Sequence, residues 1–75
     1  MIHELDSVVL AENMPGYHLQ QGDIGTVVLV HRSGGFEVEF VTLDGQTLAV
    51  ATLEPSQVRP IAKGEIAHVR LVEAA

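Results

Sequence analysis

Short apolar segments separated by turn residues recur along the chain, about every eight to twelve positions, which is typical of an all-β domain. The turns between these segments include strong sequence signals such as Pro15-Gly16, Gly34-Gly35 and Asp44-Gly45. This spacing predicts five strands, over Ser7–Ala11, Ile24–His31, Phe36–Thr42, Thr47–Leu53 and Val58–Ile61.

The third predicted strand shows the most regular alternation. Its two phenylalanines and Val38 fall on one face, while Glu37 and Glu39 fall on the other. A register slip of one residue would bury both carboxylates, so this strand should define the register of the sheet. The second predicted strand is rich in β-branched residues and is expected to be buried.

The fourth predicted strand leaves its buried face undecided. One face would carry Leu48 and Val50, and the other Ala49, Ala51 and Leu53. Glu54–Gln57 then predicts a single helical turn, with Pro55 suited to its first position.

Five short strands, a long connection over 12–23 and one helical turn before the last strand predict a small SH3-like barrel over residues 1–61. The alternative is an oligonucleotide-binding-type barrel, which often carries a helix that this chain does not offer. Residues 62–75 form a C-terminal extension, in which Ala62-Lys63-Gly64 is a hinge and Glu65–Val72 an additional strand. We expect that strand to pair with the barrel or, in a homodimer, with a second copy.

Composition narrows the class of protein. The chain has 75 residues, 47% of them hydrophobic, which suffices for one small core. It has no cysteine, and its longest apolar runs, Val27–Val30 among them, are far shorter than the roughly 20 residues of a membrane span. We therefore expect a cytoplasmic protein with no membrane partner.

Charge is distributed unevenly. Residues 1–54 hold eight acids against one base, a net −7, whereas residues 55–75 hold three bases against two acids, a net +1. An acidic body repels phosphate backbones and attracts basic partners, which disfavours nucleic acid as a ligand. A nucleic-acid module would need its bases on one face: Arg32, Arg59, Lys63 and Arg70.

Candidate chemistry is sparse, and the residues predict neither an enzyme, a cofactor nor a metal site. The four histidines are scattered, although the hairpin could bring His31 near Glu37. Glu37 and Glu39 could in principle form a glycosidase-type pair, but the chain offers nothing else for a sugar cleft. The better interpretation is an acidic patch for a partner's cations. Tyr17, two residues after Pro15, is the third candidate partner-binding residue; the alternative is that its ring caps the core.

Two resemblances add to this interpretation. The Gly-Asp-x-Gly-Thr-Val element at 22–27 resembles the opening of KOW-type modules. More broadly, residues 2–61 resemble the bacterial family called domain of unknown function 4926. The matching elements are Leu5-Asp6-Ser7-Val8, Met14-Pro15, Gly22–Val28, Phe36–Phe40, Thr52-Leu53 and Gln57-Val58.

The second resemblance implies a small stand-alone bacterial protein, an antitoxin-like or accessory partner of a neighbouring gene product, and it brings no catalytic residues. Residues and resemblance together predict a non-catalytic protein-interaction module that binds a basic protein. The alternative is a KOW-like nucleic-acid or ribosome-associated module.

Overall fold

The computed structural model describes residues 1–72 and consists of one five-stranded antiparallel sheet. Its spatial strand order is β4-β3-β2-β1-β5, so the last strand returns beside the first. The strands are β1 (Ser7–Leu10), β2 (Ile24–Val30), β3 (Phe36–Val41), β4 (Thr47–Leu53) and β5 (Val58–Pro60). Two single turns of 3₁₀ helix, η1 (Pro15–Tyr17) and η2 (Pro55–Gln57), complete the architecture.

The all-β class and all five predicted strands are confirmed, with boundaries within one residue of those predicted. The sheet does not close into a barrel, because β4 and β5 stand at its two ends without pairing to each other. β5 has only three residues, and Pro60 has no N–H to donate. A second ladder on this strand would therefore gain few hydrogen bonds.

The core lies on the concave face of the sheet and is entirely apolar. The alternation predicted for β3 is confirmed, since Phe36, Val38 and Phe40 are all buried. Leu19, from the long β1–β2 connection, is also buried and packs with them. The remaining members of this cluster are Val8, Leu10, Val27, Ala51, Leu53 and Val58.

The face of β4 that sequence patterning left undecided is set by its pairing with β3. Ala51 lies opposite Val38 and Leu53 opposite Phe36, so the alanine face is the buried one. Thr52 lies opposite Glu37 and therefore points outward with it. The register shifts between Phe40 and Val41, and Leu48, beyond this irregularity, packs at the edge of the core.

β2 departs from the prediction of a buried strand. Its register with β3 shifts between Val27 and Leu29, so Val28 has no partner of its own in this ladder. Beyond this bulge, Val28, Leu29 and Val30 are all substantially exposed. Leu29 lies opposite Glu37 and so belongs to the outer face.

The additional strand predicted over Glu65–Val72 is not formed. Residues 61–72, called here the C-terminal arm, contain no strand, and residues 73–75 of the predicted extension lie outside the described residues. The arm turns at Gly64, whose φ is +85°, and lines a cleft with Val9 and Ile24 of two interior strands. It therefore crosses the convex face of the sheet rather than extending the sheet at its edge strand β5.

Candidate protein-interaction surface

The convex side of β2, β3 and β4 brings two of the three predicted partner-binding residues together. Glu37 and Glu39 lie two residues apart on β3 and both point outward. Their neighbours across the ladders complete a surface that we call the acidic outer face: Thr26, Leu29, Glu37, Glu39, Val50 and Thr52.

Glu37 is fixed by three contacts with its two neighbours. Nε2 of His31 lies 2.5 Å from its Oε2 atom, and the Thr52 hydroxyl donates to the same carboxylate at 2.8 and 2.9 Å. These hydrogen bonds, that from His31 first, lower the pKa of Glu37 below its ordinary value. The lowered pKa keeps the carboxylate ionised at neutral pH, and the three contacts hold the side chain, which is only 22% exposed, in one orientation.

Glu39 is held less completely. Its Oε2 atom accepts a hydrogen bond of 2.8 Å from the Thr47 hydroxyl, which comes from the start of β4. Within residues 1–72, its Oε1 atom has no hydrogen-bonding partner. Glu39 is thus the carboxylate with capacity left for a cation from another molecule.

Exposed apolar side chains flank the two carboxylates. Leu29, opposite Glu37, is 44% exposed, and Val50, opposite Glu39, is 51% exposed. Val41, two residues after Glu39 on β3, is also exposed. The carboxylate pair therefore lies between exposed apolar side chains rather than on an entirely polar strand face.

Tyr17, the third predicted residue, lies in η1 on the β1–β2 connection and not on β3. The residue is 38% exposed, so it neither belongs fully to the core nor projects freely. Its own backbone N–H donates to the Met14 carbonyl at 3.0 Å, which holds the turn closed. Among the described residues, no hydrogen bond or ion pair joins Tyr17 to either glutamate.

The predicted approach of His31 to Glu37 is confirmed, but the cluster lacks the geometry of a nucleophilic triad. The Thr52 hydroxyl donates to the carboxylate and not to the imidazole, so it is not activated as a nucleophile. Two clefts formed by residues 1–72 lie beside the C-terminal arm, and His31, Glu37 and Glu39 line neither. No three metal-binding side chains converge within the described residues.

Sequence patterning missed two ion pairs that hold the C-terminal arm. Arg70 makes a two-point contact with Asp23, with Nε–Oδ1 and Nη2–Oδ2 distances of 2.8 and 2.5 Å. Arg59 contacts Glu65 in the same manner, at 2.8 and 2.6 Å. Forked arginine–carboxylate contacts of this kind fix orientation as well as charge.

The pKa values of the two acids follow from these contacts. Hydrogen bonds from Arg59, and then from the Ala62 N–H, lower the pKa of Glu65 to about 2. Burial raises the pKa of Asp23, but hydrogen bonds from Arg70 and from the Gln20 N–H outweigh it and leave the pKa below its ordinary value. Both acids are therefore ionised at neutral pH.

Only some of these contacts could have been predicted from the sequence. Glu65 lies six residues after Arg59 across a glycine-containing turn, which is a local signal for a pair. Asp23 and Arg70 are 47 residues apart, and no periodicity connects them. Thr52 becomes identifiable as the partner of Glu37 only when the buried face of β4 is known.

None of the described residues belongs to a helix long and apolar enough to cross a membrane. Comparison with curated proteins and with solved structures finds no match. A family model, described as domain of unknown function (DUF4926), matches residues 4–60, which span all five strands and stop before the C-terminal arm. This chain therefore belongs to the DUF4926 family, in agreement with the resemblance of its sequence motifs.

Proposed function

We propose that this protein is a non-catalytic interaction module whose acidic outer face binds a basic protein partner. The observation that supports this most strongly is the setting of Glu37 and Glu39. Two oriented carboxylates lie among the exposed side chains of Leu29 and Val50, on a body of net charge −7 over residues 1–54.

This surface defines the chemistry of the partner. A cation of the partner reaches the free oxygen of Glu39, while apolar side chains beside it cover Leu29 and Val50. The partner segment therefore carries Lys or Arg together with aliphatic or aromatic residues. The net charge of the body accelerates encounter with such a segment, and added salt weakens the complex.

The family resemblance of the sequence suggests the biological role: this protein acts as an antitoxin-like protein or an accessory subunit, and its basic partner is encoded by a neighbouring gene. An acidic module could occupy the nucleic-acid groove of such a partner, because the module, like a nucleic acid, presents negative charge to that groove.

The charges favour this proposal over the KOW-like nucleic-acid module. Two of the four basic side chains, Arg59 and Arg70, are already engaged with Glu65 and Asp23. A phosphate ligand would have to displace a carboxylate from each of them while approaching a negatively charged body. The remaining bases, Arg32 and Lys63, are too few to offset that repulsion.

The test uses two double variants of equal charge as affinity baits in lysate of the native host, at low and high salt. E37Q/E39Q alters the acidic outer face, and E4Q/E12Q removes two exposed acids elsewhere. We expect wild type and E4Q/E12Q to retain one basic protein in stoichiometric amount at low salt, and E37Q/E39Q to lose it.

Purified partner then allows titration against the same three baits, which separates local recognition from net charge. Equal affinity for the two double variants would refute the assignment of the site. Recovery of RNA or ribosomal proteins alone would refute the protein-partner function in favour of the nucleic-acid module.

A further inference from the structure

The C-terminal arm presents apolar side chains to solvent. Leu71 is 87% exposed, and Ile66 and Val69 are also largely exposed. These three residues lie within one seven-residue stretch, residues 66–72, that contains no helix or strand, so they are not scattered singly over the surface.

The arm also leaves its backbone unpaired. The last backbone hydrogen bond along the described chain runs from the Glu65 N–H to the Ala62 carbonyl at 3.3 Å. From residue 66 to residue 72, no N–H or carbonyl makes a hydrogen bond with another described residue. A row of free donors and acceptors on an apolar segment is available for strand pairing.

The two ion pairs of the arm hold this template in place. Before the unpaired stretch, Arg59 is paired with Glu65. Within the stretch, Arg70 is paired with Asp23 and also donates a hydrogen bond to the His18 carbonyl at 3.2 Å. A segment fixed at two points has already lost much of its conformational freedom. Strand pairing by the arm then costs less entropy than pairing by a free tail.

We propose that the arms of two copies pair as antiparallel strands about a twofold axis, so that the protein forms a homodimer through residues 66–72. An antiparallel ladder between identical segments is self-complementary, since each residue that contacts its counterpart is contacted in return. Every N–H and carbonyl that one arm directs outward meets a matching group on the other.

Charge opposes a second copy least at this position. Residues 1–54 carry a net −7 and repel their equivalents in another molecule, whereas residues 55–75 carry a net +1. Two copies therefore meet with least repulsion through the arm. Salt screens the repulsion between the bodies, so added salt should strengthen the homodimer. The complex proposed for the acidic outer face responds to salt in the opposite direction.

The full-length chain provides a matched pair of variants for a test. L71D introduces a carboxylate into the proposed interface, while L43D makes the same change at a residue that is 90% exposed in the β3–β4 turn. Sedimentation equilibrium from micromolar to millimolar protein, at low and high salt, measures the dimer constant of both variants and of wild type. Circular dichroism confirms that the sheet is intact in each.

We expect wild type and L43D to dimerise, more tightly at high salt, and L71D to weaken the dimer about tenfold or more, since each dimer contains the change twice. Amide exchange should slow over residues 66–72 of wild type as protein concentration rises. A wild-type protein that stays monomeric throughout would overturn the proposal. So would equal dimer constants for L71D and L43D, or a dimer whose arm amides exchange as fast as in the monomer.

Discussion

Gly25, at the start of β2, offers the sharpest test of the packing. It is fully enclosed between two strands, and its backbone φ is not in the left-handed region. A Cβ atom added there would lie 2.6 Å from Cγ1 of Val38, 2.9 Å from the Glu39 carbonyl oxygen and 2.9 Å from Cε1 of Phe40. Gly25→Ala therefore probes space alone and not backbone conformation.

The size of the effect follows from these distances. Carbon atoms in van der Waals contact lie about 3.5–4.0 Å apart, so the new methyl group overlaps three atoms at once. The Glu39 carbonyl oxygen belongs to the backbone of β3, whose displacement would disturb the β2–β3 ladder. Overpacking of this kind costs about 1–3 kcal/mol, and the gain from a less flexible unfolded chain, up to about 1 kcal/mol, offsets only part of it.

The assay is thermal and urea unfolding followed by circular dichroism, with Gly16→Ala as the control. Gly16 lies in η1 with nothing within 4 Å of the added Cβ and without a positive φ. We expect Gly25→Ala to lose about 2 kcal/mol of unfolding free energy, which for a domain of this size lowers Tm by roughly 8–16 °C. Gly16→Ala should match wild type or exceed it slightly.

A Gly25→Ala protein as stable as Gly16→Ala would refute the reasoning. It would mean that β2 and β3 lie farther apart at this point than the structure shows, or that β3 yields at no cost. A large loss in both variants would instead show that an added methyl group destabilises this chain regardless of the local distances around it.

Three further results are expected. The folded-state pKa of Glu65, about 2, lies below the ordinary value of 4.5. Glu65 therefore contributes fully to holding the arm above about pH 4.5, and this contribution is lost as pH falls toward 2. A carboxyl NMR titration should show this low pKa, and R59Q should return the pKa toward 4.5. Thr52→Val removes a hydrogen bond from Glu37, so the same titration should show a higher Glu37 pKa than in wild type, and an unchanged value would contradict the assigned contact. Val38→Ala opens a cavity at a fully buried site and should cost about 2 kcal/mol in urea unfolding, whereas a loss within error of zero would place Val38 outside the core.

The strands and their order of appearance could be predicted from local pattern, because strand periodicity and turn chemistry act over a few residues. Phe36–Val41 is the clearest case: alternation alone identified its buried face and placed Glu37 and Glu39 outside. The turn at Asp44-Gly45 likewise located the start of β4 at Thr47. These are properties that each segment carries by itself.

The acidic outer face could be predicted only in part. Its two carboxylates were identified, but the exposure of Leu29 depends on the bulge at Val28, which shifts the register of β2 against β3. A run of β-branched residues is compatible with burial on both faces, and the choice depends on what the neighbouring strands cover.

The sequence by itself determined that this is an all-β protein of five strands, with an acidic body and a less acidic C-terminal arm. Composition and period-two alternation are properties of short segments, so they can be recognised without the fold. Only the tertiary structure decided which face of β4 is buried, that the sheet stays open, and that the arm crosses the convex face without pairing. Those outcomes depend on contacts between distant residues, such as Arg70 with Asp23 across 47 positions, and pairing between segments is a property of the folded chain rather than of any one segment.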